Sequence, residues 1–296
     1  MPYSIFSKLT TCVFLLAILM SGCSTPSNQP AYSAQQEEKL TLTRAYEEAE
    51  TLPEPVDPAD QTDVPAEEAL QQDPRTVNVQ KPVLCIEAGH QSSGNSDKEP
   101  IAPGSSVMKP KVSSGTRGVS TGKPEYELNL EIALKLQNEL ASDYQVVMVR
   151  TTNDVDLSNK ERAEFCSRSG ADLMIRLHAD GSENPKTHGM SLLYPSPDSP
   201  YTKEISAESL AAASFLRDGL VETTSAAFNG FKPREDLTGF NWLTIPSVLI
   251  EAGFMTNPDE DRKLSQDAYQ NQIVTGIKKG LDSYYASKSS KPEHGP

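Results

Sequence analysis

In Val83-Leu-Cys-Ile-Glu-Ala-Gly-His90 a continuous apolar run changes into a polar loop, and this pattern is the strongest indication of the fold. A short run of this kind is typical of a strand that is buried on both faces of a parallel sheet. The chain repeats the pattern in Leu173-Met-Ile-Arg-Leu-His178 and in Val248-Leu-Ile-Glu251. Parallel strands place their carboxyl ends at one edge of a sheet, so we expect the histidines and the glutamate that end these runs to lie close together.

Apolar residues at helical spacing separate the predicted strands. Leu128, Ile132, Leu136 and Leu140 share one face of a predicted helix over 125–140. The other predicted elements are strands over 145–149 and 189–194 and helices over 159–169, 204–223 and 266–285. Strands that alternate with helices predict an α/β fold with a single domain, in which a mostly parallel twisted sheet carries helices on both faces.

The ends of the chain predict export and tethering rather than folded structure. Residues 1–22 form a signal peptide pattern, in which Lys8 precedes an apolar run and small residues precede Cys23. The run is shorter than the roughly 20 residues of a permanent membrane span. Met20-Ser-Gly-Cys23 resembles a bacterial lipobox, so we expect cleavage before Cys23 and its lipidation; an ordinary secretory signal is the alternative.

Composition divides the rest of the chain. Residues 23–79 are rich in acidic residues and proline and predict a disordered tether, 80–287 predict the folded domain, and 288–296, with His294, predict a polar tail. The net charge of -14 argues against nucleic acid as a partner. Cys85 and Cys166 are the two thiols of the predicted domain, and we expect both to be free and buried rather than bridged. We also expect a monomer.

The scarcity of histidine points to a metal site. The chain has only four histidines, and two of them, His90 and His178, stand at equivalent strand ends. A third ligand comes from Glu125 or Glu127, at a helix start that faces the same edge. Two imidazoles and a carboxylate leave a zinc position open for water, whose pKa the metal lowers toward about 7. With Glu251 as a base, the pattern predicts a hydrolase that binds one Zn²⁺ ion.

Four motifs, spread over 82–285, resemble those of the type 3 zinc-dependent N-acetylmuramoyl-L-alanine amidases. Ile86-Glu-Ala-Gly-His90 resembles the family's Asp-x-Gly-His segment, and Glu125-Tyr-Glu-Leu-Asn-Leu130 resembles its Glu-x-x-x-Asn-Leu helix start. Ile175-Arg-Leu-His-Ala-Asp180 resembles its Ser-Ile-His-Ala-Asn segment. Pro246-Ser-Val-Leu-Ile-Glu-Ala-Gly-Phe254, with Thr256-Asn-Pro258, resembles the motif that carries the catalytic glutamate.

The resemblance assigns a role to each of these residues. It implies that His90, Glu125 and His178 bind zinc, which selects Glu125 over Glu127, and that Glu251 is catalytic. It implies that 80–287 are an amidase catalytic domain that cleaves the bond between N-acetylmuramic acid and L-alanine in peptidoglycan. The lipid anchor would hold this enzyme at the outer face of the cell membrane. The alternatives are a zinc peptidase acting within the stem peptide and a non-catalytic wall-binding lipoprotein.

Two departures from the family pattern concern charged residues. Glu87 replaces the usual Asp, and Arg176 replaces the usual Ser, so we hypothesise an ion pair between them near the site. Arg150 and Arg162 resemble family positions too, and we expect structural ion pairs with Asp154 or neighbouring carboxylates.

The candidate substrate contacts are His188, Arg176 and Trp242. His188 lies in a loop-like segment and is not expected to bind metal. Three aromatic residues precede the last motif: Phe231, Phe240 and Trp242. They are expected either to line a groove for sugar or peptide or to pack in the core.

Overall fold

The computed structural model describes residues 81–290. The predicted signal peptide, the lipidation site Cys23, the tether and the tail histidine His294 lie outside the described residues and stay predictions. Within 81–290, no helix is both long and apolar enough to cross a membrane.

A six-stranded sheet forms the centre of the domain. The strands, in chain order, are β1 (Val83–Ala88), β2 (Asn95–Pro100), β3 (Met108–Val112), β4 (Gln145–Met148), β5 (Leu173–Asp180), β6 (Met190–Pro195), β7 (Phe228–Arg234) and β8 (Ser247–Phe254). The main sheet has the order β4-β1-β5-β8-β6-β7, and β2 pairs with β3 separately. All neighbouring strands of the main sheet are parallel except β6 and β8, which confirms the predicted α/β class.

Helices cover both faces of this sheet. They are α1 (Glu125–Leu140), α2 (Asn159–Arg168), α3 (Lys203–Thr224), α4 (Thr238–Asn241), α5 (Pro258–Leu264) and α6 (Asp267–Ser289). One apolar core joins alternate strand residues to α1, α3 and α6. A smaller core, on the face that carries Met174 and Leu249, joins the sheet to α2 and α4. Side chains alternate along a strand, so residues two positions after those of the smaller core lie on the same face of the sheet. These residues include Glu87, Arg176 and Glu251.

Two strands of the 91–123 loop and one edge strand were not predicted. The loop contains the hairpin β2–β3, whose first strand, Asn-Ser-Asp-Lys-Glu-Pro, is polar and mostly exposed. Strand β7 contains Gly230 and Pro233 and lies at the edge of the main sheet. An edge strand tolerates proline because one side needs no donor. Such sequences lack the apolar alternation that reveals a strand.

The prediction of two free thiols is wrong, because Cys85 and Cys166 form a disulfide. Cys85 lies in β1 and Cys166 in α2, both fully buried in the smaller core, with a Cα–Cα distance of 5.6 Å. That distance lies in the ordinary range for a disulfide. The bridge depends on how α2 packs against the sheet, and the residues around either cysteine carry no signal of that packing.

Candidate metal centre

His90 lies two residues after the carboxyl end of β1 and has a left-handed backbone conformation, with φ 61°. Its Nδ1 lies 2.9 Å from the carbonyl oxygen of Ser113 and 3.1 Å from the Ser113 hydroxyl, which fixes the imidazole ring. The neighbouring Gly89 allows a second ring to approach, because a Cβ there would lie 2.3 Å from an atom of the His178 ring. The Gly-His sequence therefore brings the end of β1 directly against β5.

Glu125, the first residue of α1, lies between the two imidazoles. Its Oε1 is 3.0 Å from His90 Nε2 and 3.2 Å from His178 Nδ1, and its Oε2 accepts a hydrogen bond of 2.8 Å from the backbone N–H of Thr116. Burial opposes ionisation of this carboxyl. The hydrogen bonds and charges of the two histidines nevertheless hold the pKa of Glu125 well below its ordinary value, so it remains a carboxylate.

The three side chains form a donor cluster that suits zinc. One potential ligand atom from each of His90, Glu125 and His178 lies within 4.8 Å of the others. His178 Nε2 is buried and has no hydrogen-bond partner within the described residues, so this nitrogen is available to a ligand. Nitrogen and carboxylate oxygen are ordinary zinc donors. Within 81–290 this is the one such cluster, and it does not include Glu127.

The two histidines differ electrostatically. Burial lowers the pKa of His178, with the charge of His90 acting in the same direction, which favours the neutral imidazole that a metal needs. Burial also opposes protonation of His90. The hydrogen bond and charge of Glu125 prevail there and raise the pKa of His90.

Glu251 lies beside this cluster on β8, where it is the register partner of His178. Its Oε2 is buried and has no hydrogen-bond partner in the described part of the chain. Burial raises the pKa of Glu251 well above its ordinary value, and the charges of Glu125 and Asp180 add to the effect. A carboxyl group with a raised proton affinity and no hydrogen-bond partner is suited to proton transfer.

The hypothesis of a Glu87–Arg176 ion pair is confirmed. Arg176 Nε and Nη2 both donate to the carboxylate of Glu87, and Arg162 Nη1 lies 3.4 Å from the same carboxylate. Burial opposes ionisation of Glu87, but the two guanidinium groups lower its pKa to about 2. The expected structural ion pair of Arg162 is thus present as well.

Arg150 behaves differently from the prediction. Its guanidinium donates to the carbonyl oxygens of Ala88, Gly89 and Tyr126, at 2.9 to 3.0 Å, and within the described residues it pairs with no carboxylate. The expected ion pair with Asp154 is therefore wrong. A buried cation thus helps to satisfy carbonyl groups at the end of β1 and the start of α1.

The three candidate substrate contacts fall in different places. Arg176 lines a cavity of about 180 Å³ together with His90 and His178. His188 lines a separate cavity of about 410 Å³ with Asn257 and Lys263. The structure therefore does not bring His188 to the metal cluster.

Trp242 and the phenylalanines before the last motif contribute mainly to packing. The indole N–H of Trp242 donates to the carbonyl oxygen of Pro100, and Lys160 lies over its ring. Phe240 is fully buried in the smaller core, and Phe231 packs against the larger one. For both phenylalanines the structure therefore favours the alternative of core packing over the groove. Trp242 also anchors the β2–β3 hairpin.

Several supporting residues of the site carry no signal in the sequence. Ser113 and Thr116 orient His90 and Glu125 from within the 91–123 loop. The fully buried Asp261 of α5 accepts hydrogen bonds from the backbone N–H groups of Ser120 and Thr121, which fastens the end of that loop. A serine or threonine in a polar loop is too common for its sequence alone to reveal such contacts.

The sequence is similar to those of known proteins. Residues 84–283 match the family model described as N-acetylmuramoyl-L-alanine amidase. The chain is 29% identical over 171 residues to the N-acetylmuramoyl-L-alanine amidase LytC of Bacillus subtilis, a match that spans 56% of this chain but only 32% of LytC. It is 27% identical over 233 residues to AmiA of Escherichia coli, which spans 62% and 81% of the two chains.

Solved structures extend the comparison to the fold. The N-acetylmuramoyl-L-alanine amidase of Clostridium difficile 630 superposes with a TM-score of 0.58 at 27% identity, over 71% of this chain and 99% of the other. Ami1 of Mycobacterium smegmatis superposes with a TM-score of 0.63 at 24% identity and equal coverage. The second likeness shows the fold alone.

Proposed function

The chain belongs to the N-acetylmuramoyl-L-alanine amidase family, whose members are hydrolases, and from this premise we propose that it cleaves the amide bond between N-acetylmuramic acid and L-alanine in peptidoglycan. The observation that carries the proposal is the cluster of His90, Glu125 and His178, in which Glu125 is buried and the two histidines are half-buried, with the unpartnered Glu251 beside it. We also propose that the activity depends on one zinc ion.

The donor cluster supports the zinc dependence. His90, Glu125 and His178 would hold the ion, since their potential ligand atoms lie within 4.8 Å of one another and His178 has an unused buried nitrogen. A zinc ion bound there would polarise the scissile carbonyl as a Lewis acid and would lower the pKa of a bound water toward about 7. The hydrogen bonds to Ser113 and Thr116 fix the orientation of the first two ligands before any substrate binds.

Glu251 supplies the proton transfer in this proposal. Its carboxylate removes a proton from the attacking water and then delivers that proton to the nitrogen of the departing L-alanine. Because Oε2 has no competing donor among the described residues, it is free to accept the proton. Burial raises the pKa of Glu251, which gives the carboxylate a high proton affinity.

Digestion of purified peptidoglycan tests the proposal. An amidase should lower the turbidity of a wall suspension and release peptides with free L-alanyl amino termini. Other new amino termini would instead indicate a peptidase that cuts within the stem peptide. Unchanged turbidity and no new termini from the zinc-loaded protein would indicate a non-catalytic wall-binding protein.

We further propose that the enzyme acts outside the cytoplasm and is attached to the membrane by a lipid on Cys23. The support is the signal pattern of residues 1–22, with 23–79 as the tether and 80–287 as the catalytic domain. Cys23→Ala should release an active enzyme from the membrane fraction into the medium. Retention of the variant on membranes would contradict the anchor and leave the catalytic proposal intact.

A further inference from the structure

The cavity beside the metal cluster contains a positive charge that the proposed reaction does not use. The cavity measures about 180 Å³, and its walls include His90, Arg176, His178, Thr238 and Gly239. Arg176 precedes His178 by two residues in β5, so both side chains leave the strand on the same face. Any group that occupies this cavity therefore meets the guanidinium and the two imidazoles together.

The ion pairs around Arg176 leave one charge uncompensated. The Glu87 carboxylate is shared between the guanidinium groups of Arg162 and Arg176, and all three side chains are at most 4% exposed. Two positive charges and one negative charge leave the trio with one net positive charge. A buried charge without a counter-charge is costly, so an anion is the natural complement of this group.

One nitrogen of Arg176 is available for that anion. Glu87 accepts from Nε and Nη2, whereas Nη1 makes no hydrogen bond within residues 81–290. Gly239 makes room for this nitrogen at the cavity wall, because a Cβ at position 239 would lie 2.1 Å from Nη1. The Phe240 ring, 5.5 Å from the guanidinium carbon, packs beside the group and limits its movement.

We infer that the cavity is a carboxylate subsite, in which Arg176 Nη1 binds an acidic group of the wall. The inference rests on the proposed function, since it takes peptidoglycan as the substrate. Arginine binds carboxylates through charge-assisted hydrogen bonds, and Glu87 holds the guanidinium in place for this contact. Two carboxylates can reach a cavity next to the scissile bond: that of an acidic stem residue after L-alanine, and the lactyl carboxylate that hydrolysis frees.

Two synthetic muramoyl-L-alanyl peptides test the first source. They differ only in whether the residue after L-alanine carries a carboxylate or a carboxamide. If the subsite binds the stem, kcat/KM for the acid should exceed that for the amide about tenfold, which corresponds to about 1.4 kcal/mol. Arg176→Met should bring the ratio close to one, and Arg176→Lys should retain part of the preference.

Product inhibition tests the second source. If the subsite binds the freed lactyl group, N-acetylmuramic acid should inhibit the enzyme about tenfold more strongly than its lactyl amide. Arg176→Met should remove that difference as well. A preference for the carboxylate in either arm, lost in Arg176→Met, supports the subsite and identifies the source of its ligand.

Equal behaviour of acid and amide in both arms, measured on the unaltered protein, would overturn the inference even if Arg176→Met fails to fold. An equal loss of activity toward both peptides in Arg176→Met, with the same ratio as before, would also overturn it and assign Arg176 to positioning. If the zinc-loaded protein cleaves neither peptide nor wall, the proposed function fails. Calorimetric titration with N-acetylmuramic acid and its amide then decides the subsite separately.

Discussion

The two strands that flank β5 each place a glutamate against it, and the two glutamates behave in opposite ways. On the β1 side, Glu87 is the register partner of Arg176, and the pKa of its carboxyl is lowered to about 2. On the β8 side, Glu251 is the register partner of His178, and its pKa is raised well above the ordinary value. Both carboxyl groups are buried, so burial alone does not decide their protonation.

The partners explain the difference. Glu87 has two guanidinium groups within ion-pair distance, whereas Glu251 Oε2 has no hydrogen-bond partner within the described residues. A carboxylate that is fully paired contributes to the structure and has little freedom to accept a proton. A carboxylate without a partner destabilises the fold but is ready for proton transfer. We therefore expect Glu87 to serve stability and Glu251 to serve chemistry.

Removing the acid on the β8 side should have the largest effect. Glu251→Gln should lower kcat by about 10³-fold or more, because the proton acceptor is lost. The variant should retain zinc and be at least as stable as the unaltered protein, since a neutral amide replaces an unpaired buried acid. Rates on purified peptidoglycan and urea unfolding measure the two properties. Activity within tenfold of the unaltered enzyme would remove Glu251 from the mechanism.

Removing the acid on the β1 side should instead affect stability. Glu87→Gln leaves Arg162 and Arg176 buried without a counter-charge, which should lower the free energy of unfolding by about 3 kcal/mol. Asp267→Asn is the matched control, because it breaks the exposed ion pair with Lys135 and should leave the free energy of unfolding nearly unchanged. Equal effects of the two substitutions in urea unfolding would show that the buried ion pair contributes no more to stability than the exposed one.

The pH dependence of stability should separate the two acids by sign. Since the pKa of Glu87 is lowered from 4.5 to about 2, its contribution is present above pH 4.5 and is lost as the pH falls through 2. The pKa of Glu251 is raised, so its penalty is absent below pH 4.5 and grows as the pH rises toward the folded-state value.

Urea unfolding of the metal-free protein at several pH values, compared with each glutamine variant, tests these signs. The stabilising difference between the unaltered protein and Glu87→Gln should shrink on acidification. As the pH rises, the unaltered protein should become less stable relative to Glu251→Gln. Difference curves that bend in the same direction would contradict the comparison between the two sides of β5.

The sequence predicts the part of this site that depends on regular strands. His90, His178 and Glu251 end apolar runs, and a parallel sheet must place the ends of such runs together. Strand alternation likewise places Arg176 and Glu87 on the face of His178. These predictions need only the period of a strand and the direction of its neighbours.

The remainder depends on packing that local patterns do not encode. The Cys85–Cys166 disulfide needs the exact position of α2, and the carbonyl contacts of Arg150 need the exact end of β1. Ser113 and Thr116 contact the site from a loop whose end is held by Asp261, far along the chain. A polar loop has many conformations that satisfy its own residues equally well, so only tertiary contacts select one.

Elemental analysis of the purified protein shows whether His90, Glu125 and His178 hold one zinc ion. After dialysis, we expect about one zinc per chain in the unaltered protein and in Glu251→Gln, and little or none in a folded His178→Ala variant. Unaltered protein that cleaves peptidoglycan while retaining no zinc, or full retention in His178→Ala, would contradict this expectation.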